Sequence, residues 1–138
     1  MTVQIGNKEQ IAQWTFFNNA SSDDIQVCDV INGIEWEINV RFREEPEYGE
    51  NVSNCMTTIE NNGQRVHADL RMINTKKVLS GFHSTCLIFL GQINVGENKV
   101  NKYYISYCVQ AVSNNSSPSW LLHIFLYKKT ETLPPVSQ

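Results

Sequence analysis

Hydrophobic and polar residues alternate along much of this chain with the two-residue period of a β-strand. Two Asn-Gly dipeptides, Asn32-Gly33 and Asn62-Gly63, punctuate the alternating runs. Asn-Gly is a strong hairpin signal, because a type I′ turn needs φ > 0 at both central residues. Folding at Asn32-Gly33 sets Ile31 against Ile34, Asp29 against Trp36, Val27 against Ile38 and Ile25 against Val40. The other face then pairs Val30 with Glu35, Cys28 with Glu37, Gln26 with Asn39 and Asp24 with Arg41. Folding at Asn62-Gly63 pairs Ile59 with Val66, Thr57 with Ala68 and Cys55 with Leu70, while Glu60 meets Arg65 on the opposite face. A slip of one residue would turn every side chain to the wrong side, so the agreement specifies register as well as strands.

Elsewhere the signal varies. Ile11, Trp14 and Phe17 fit a helical stripe, whereas 14–18 also fits a strand, and the run is too short for its period to decide. Residues 18–24 and 113–119 are polar loops, and 44–51 is an acidic loop closed by Pro46 and Gly49. Residues 85–90 and 120–127 are apolar on both faces, as strands inside a sheet would be. Residues 102–112 alternate, and Gly96-Glu97-Asn98-Lys99 reads as a turn. Strands at short spacing without a convincing helix indicate an all-β, antiparallel β-sandwich of about seven to eight strands, immunoglobulin-like or jelly-roll-like. Two strands apolar on both faces disfavour a small closed barrel. The expected organisation is one domain over 1–128 with a flexible tail over 129–138.

Composition narrows the function classes. A chain of 138 residues buries enough surface to need no metal or disulfide staple. Its net charge of −3 lacks the basic footprint of a nucleic-acid binder. No charged leader precedes an apolar run, and no apolar stretch nears the ~20 residues that span a bilayer. These features predict a cytoplasmic chain without nucleic-acid or membrane partners. Cys28, Cys55, Cys86 and Cys108 have no metal-finger spacing and read as free thiols. Sequons begin at Asn19, Asn51 and Asn114, but asparagine is common enough here to produce them by composition.

Candidate chemistry is sparse. His67 and Asp69 share a strand face with Thr58 opposite His67, and such a pair supplies two metal ligands or a base with its orienter. No spacing ties His83 or His123 to them, so a solvated strand face is the plainer reading, and no metal or cofactor is expected. Glu44, Glu45, Glu47 and Glu50 lack the Asp, Asn and carbonyl pattern of a calcium loop. Cys86 follows His83 by three residues, and no nucleophile elbow or phosphate loop is present. Aromatic residues are the richer set, since Trp14, Phe16, Phe17, Tyr48, Phe82, Tyr103, Tyr104 and Trp120 exceed what one small core holds. Candidate binding residues are Val78, Leu79 and Phe82, in an apolar connection around Gly81, together with Tyr103, Tyr104 and Trp120.

The Ile73-Asn74 step, the Gly81 loop, the strand from Thr85, the Tyr-rich 103–107 and the closing 120–127 resemble small bacterial all-β domains of unknown function. The resemblance covers about half the chain and implies a bacterial or phage setting, with no site residue carried over. The leading expectation is a non-enzymatic protein-interaction module that binds another protein or its own copies. It would be a small subunit or modulator in a bacterial or phage system such as antiviral defence or anti-defence. The alternative is a small-ligand or carbohydrate-binding sandwich using Tyr103, Tyr104 and Trp120 as stacking platforms. A metal-dependent enzyme on His67 and Asp69 is the third.

Overall fold

Both Asn-Gly hairpins form in the expected register. A computed structural model of the chain describes residues 4–19, 25–44, 54–74, 82–84, 87–111 and 119–134. Strands β3 (Ile25–Ile31) and β4 (Ile34–Glu44) pair antiparallel from Ile25↔Val40 to Ile31↔Ile34. Between them Asn32 and Gly33 sit at φ 53° and 77°. The expected partner of Arg41, Asp24, lies outside the described residues. Strands β5 (Asn54–Glu60) and β6 (Arg65–Asn74) pair from Asn54↔Arg71 to Glu60↔Arg65, which includes Thr58↔His67. The two-residue Asn62-Gly63 turn forms as expected, inside a break in the strands over residues 61–64. Asn61, Asn62 and Gly63 all take positive φ, and the Gln64 amide donates to the Asn61 carbonyl at 3.1 Å. Asn62 and Gly63 thus occupy the central, left-handed positions of the turn.

The remaining strands are β1 (Gln4–Ile5), β2 (Lys8–Asn19), β7 (Phe82–Ser84), β8 (Ile88–Gly96), β9 (Lys99–Ala111) and β10 (Ser119–Thr132). The helical alternative near Trp14 gives way to β2, which lies along β10 from Glu9↔Lys128 to Asn19↔Ser119. Two open sheets result. The first runs β1-β2-β10-β9, with β7 and β8 sharing the far edge of β9, and the second runs β3-β4-β6-β5. Strand β10 is central, as its two apolar faces predict. Strand β8 is not, since it lies at an edge with Phe89 exposed. The tail expected from residue 129 instead continues β10 to Thr132, and the Leu133 amide donates to the Asn98 carbonyl at 2.6 Å.

The second sheet departs from the antiparallel expectation at its centre. Strands β4 and β6 run parallel, with Trp36 beside Val66, Ile38 beside Ala68 and Val40 beside Leu70. The parallel pair makes this sheet a mixed one. The reason is compositional. Val66, Ala68 and Leu70 are at most 2% exposed and require a covered, central strand. Strand β5 carries Met56, Thr57 and Thr58 and suits the edge. Strand β5 reverses the chain once and β6 reverses it again, so β6 enters beside β4 in the same direction.

The two sheets share one core. Trp36, Ile38, Val40, Val66, Ala68 and Leu70 meet Tyr103, Ile105, Tyr107, Val109, Leu122, Ile124 and Leu126. Full burial of each such aliphatic side chain contributes roughly 1.5–3 kcal/mol. Trp36 and Tyr103 cross between sheets edge to face, with centroids 5.2 Å apart. At one margin Trp14 Nε1 of β2 donates to Asp29 of β3 at 3.2 Å. At the other, a glycine on each sheet makes room for an isoleucine on the other. A Cβ on Gly63 would lie 2.5 Å from Ile93 Cγ2, and one on Gly91 would lie 2.9 Å from Ile59 Cδ1.

Candidate functional site

Alternation on β9 decides the fate of the expected tyrosine platforms. Tyr103 points into the core at 2% exposure, where Asn101 Nδ2 donates to its hydroxyl at 3.4 Å. Burial pushes its phenol pKa up, against a smaller lowering by that hydrogen bond. Tyr104 points to the opposite, outward face, where Phe89 lies 5.4 Å away and Lys8 Nζ sits 4.9 Å from the ring centroid. The two cannot act on one ligand. Phe82 opposes Gln110 at the head of β7, and Trp120 lies between Asn18 and Ala111 on the neighbouring strands. Val78 and Leu79 fall outside the described residues, as do Tyr48, Cys86 and most of the acidic loop.

The outward face of the first sheet carries a run of apolar and aromatic side chains among polar ones. Leu122, Ile124 and Leu126 fill the core, which turns Leu121, His123 and Phe125 outward. Leu121 lies beside Phe17 of β2, which is 64% exposed. His123 stacks on Phe125 at 6.3 Å, and its Nδ1 meets the Thr15 hydroxyl at 3.0 Å. The buried Tyr127 lies beside the part-buried Tyr104, and Tyr104 beside Phe89, which is exposed at the far edge. At that end Glu131 accepts hydrogen bonds from Lys129 at 2.7 Å and Lys102 at 2.9 Å. These two lysines pull the Glu131 pKa down to about 2, with Lys129 contributing most.

The outward face of the second sheet is mostly polar, with Val30 and Met56 exposed on it, and carries a feature with no local sequence signal. Parallel pairing places Glu37 of β4 beside His67 of β6, and Glu37 Oε2 lies 2.6 Å from His67 Nδ1. Glu37 Oε1 accepts from Gln26 Nε2 at 2.7 Å, while Asp69 Oδ1 lies 3.5 Å from His67 Nε2 and accepts from Asn39 at 3.2 Å. The hydrogen bond to Glu37 raises the His67 pKa, and Asp69 adds to the rise. A carboxylate beside each ring nitrogen favours the cation, and in that protonated form neither nitrogen has a lone pair to offer as base or ligand. Among the described residues no group of three or more His, Cys, Asp or Glu can hold a metal ion. Beside this network a shallow cavity of about 470 Å³ is bordered by Cys28, Glu35, Glu37, Glu60, Arg65 and His67. Arg65 Nε and Glu35 pair across it at 3.3 Å.

Other candidates for covalent chemistry are muted. Cys28, Cys55 and Cys108 are unpaired, and burial raises the thiol pKa of Cys55 and Cys108, which keeps them protonated at neutral pH. No helix among the described residues is long and apolar enough to cross a membrane. No protein-family model, curated protein or solved structure matches the chain.

Proposed function

We propose that this chain is a non-enzymatic β-sandwich module that binds another polypeptide through the outward face of its first sheet. One observation carries the reading: that face groups the exposed Phe17 and Phe89 with the part-buried Leu121, Phe125 and Tyr104, whereas the outward face of the other sheet sets the exposed Val30 and Met56 apart, around a hydrogen-bonded polar network. Aromatic side chains at a partly exposed sheet surface are the residues that dominate protein interfaces. The resemblance of the second half to small bacterial β domains supports a bacterial or phage setting, as a subunit or modulator of a defence or anti-defence system. A second reading, a small-ligand module, draws its support from the cavity beside Glu37 and His67 rather than from stacked tyrosines.

The test uses Phe17→Ser combined with Phe89→Ser, both at exposed positions. The double variant is expected to keep its melting temperature within a few degrees. It should lose a stoichiometric polypeptide partner, or a second copy, that the parent chain retains through purification. Equal retention by both proteins refutes the reading.

A further inference from the structure

The free edge of β2 is a candidate joint, and the geometry points to pairing with β2 of a second copy of this chain. The inference rests on the interaction-module reading above and names its partner. Strand β10 occupies one edge of β2 from Glu9 to Asn19, with a register shift at Ile11, whereas β1 covers the other only at Lys8 and Glu9. Among the described residues no strand covers that edge from Gln10 to Asn19. An uncovered strand is a row of unpaired amides and carbonyls, which natural sheets blunt with charge, proline, bulges or short length. This segment, Gln10-Ile11-Ala12-Gln13-Trp14-Thr15-Phe16-Phe17-Asn18-Asn19, has no charge and no proline. Its pairing with β10 is interrupted only next to Ile11.

Among the described residues each other edge carries a charge, a bulge or a shorter run. Strand β3 turns Asp29 to the inner side, where it accepts from the Trp14 indole. Strand β8 bulges between Phe89 and Gly91 and again between Asn94 and Gly96. Strand β5 is seven residues long and ends in Glu60 and a left-handed bend, and β7 has three residues. Among the described residues the edge of β2 over 10–19 is the longest uncharged and uncovered one.

A second copy fits this edge for reasons of symmetry. In an antiparallel ladder about a two-fold axis, residues of the same face must oppose one another, so the axis runs midway between the two copies of one residue. Centred on Thr15, it sets Trp14 against Phe16 of the partner on the inner side, where both side chains are only half-buried. On the outer side Gln13 opposes the partner's Phe17, the most exposed large apolar side chain described. Ala12 opposes the partner's Asn18 and completes seven paired residues, so the ladder stops short of β1. A neutral strand faces its own copy without like-charge repulsion, which a charged edge would not.

The axis also defines the test, because Thr15 opposes itself and is exposed. Sedimentation velocity at about 100 μM, a concentration suited to interfaces at the small end of the range, is expected to give the mass of two chains. Thr15→Lys and Thr15→Glu should each sediment as one chain with the parent circular dichroism spectrum. An equimolar mixture of the two should restore the two-chain species. A parent that stays single at this concentration, a Thr15→Lys variant that remains double, or a mixture that stays single would each overturn the proposal. If the chain is monomeric but Phe89→Ser alone still abolishes retention of a different polypeptide, edge pairing fails while the interaction reading stands.

Discussion

Gly63→Ala is expected to destabilise this protein well beyond the ordinary cost of removing a turn glycine, and Gly33→Ala is its control. Both glycines have left-handed backbones, at φ +88° and +77°. Alanine in that region costs about 1–2 kcal/mol. Nothing lies within 4 Å of a Cβ at Gly33, so its substitution should cost no more than that. At Gly63 the new carbon would stand 2.5 Å from Ile93 Cγ2. That atom is carried on the stiff, branched β-carbon of a side chain only 8% exposed, so it cannot swing aside. Overpacking of this kind adds about 1–3 kcal/mol. Urea denaturation of both variants reads the difference. With a slope of about 2 kcal/mol per molar, the Gly63→Ala midpoint should fall about 0.5–1.5 M below that of Gly33→Ala. Ile93→Ala removes the opposing methyl, so in that background Gly63→Ala should cost only what Gly33→Ala does. Equal midpoints for the two alanine variants, or strict additivity with Ile93→Ala, would refute the proposed contact between the sheets.

Three further outcomes follow from other contacts. Trp36 Nε1 is buried without an acceptor among the described residues, so Trp36→Phe relieves a cost of about 1–3 kcal/mol while losing volume. It should destabilise by under about 2 kcal/mol, against about 3–5 for Trp36→Ala, and similar losses for both would contradict that account. His67 should titrate above its ordinary 6.5 in an NMR pH series, with Glu37→Gln moving it back. Because its folded pKa is raised, its stabilisation is complete below pH 6.5 and fades as pH rises through the folded value. Glu131 has the opposite sign. Its folded pKa of about 2 against an ordinary 4.5 gives a stabilisation present above pH 4.5 and lost as pH falls toward 2. The melting-temperature gap between the parent and Glu131→Gln should therefore close over that interval, and a constant gap would remove the lysine pair as its cause.

Legibility in the sequence tracked the range of the interactions involved. The pairings Cys28↔Glu37 and Thr58↔His67 were readable because each joins residues across one short turn, where alternation and Asn-Gly chemistry act together. The strand around Trp14 was ambiguous because its partner, β10, lies about a hundred residues away. The tail beyond residue 128 reads as frayed when its charges are considered alone. It is held instead by pairing with β9 and by Glu131 drawing together Lys102 and Lys129.

Local periodicity alone determined that this chain is built of strands, where its two Asn-Gly hairpins turn, and which side chains share a face within each. Tertiary structure decided how the hairpins join. Burial of Val66, Ala68 and Leu70 draws β6 rather than β5 against β4, and that parallel join brings Glu37 to His67 across thirty residues. It also decided which of two adjacent tyrosines is buried and which faces outward, because alternation separates the faces of β9 but only the opposing sheet makes one of them the inside.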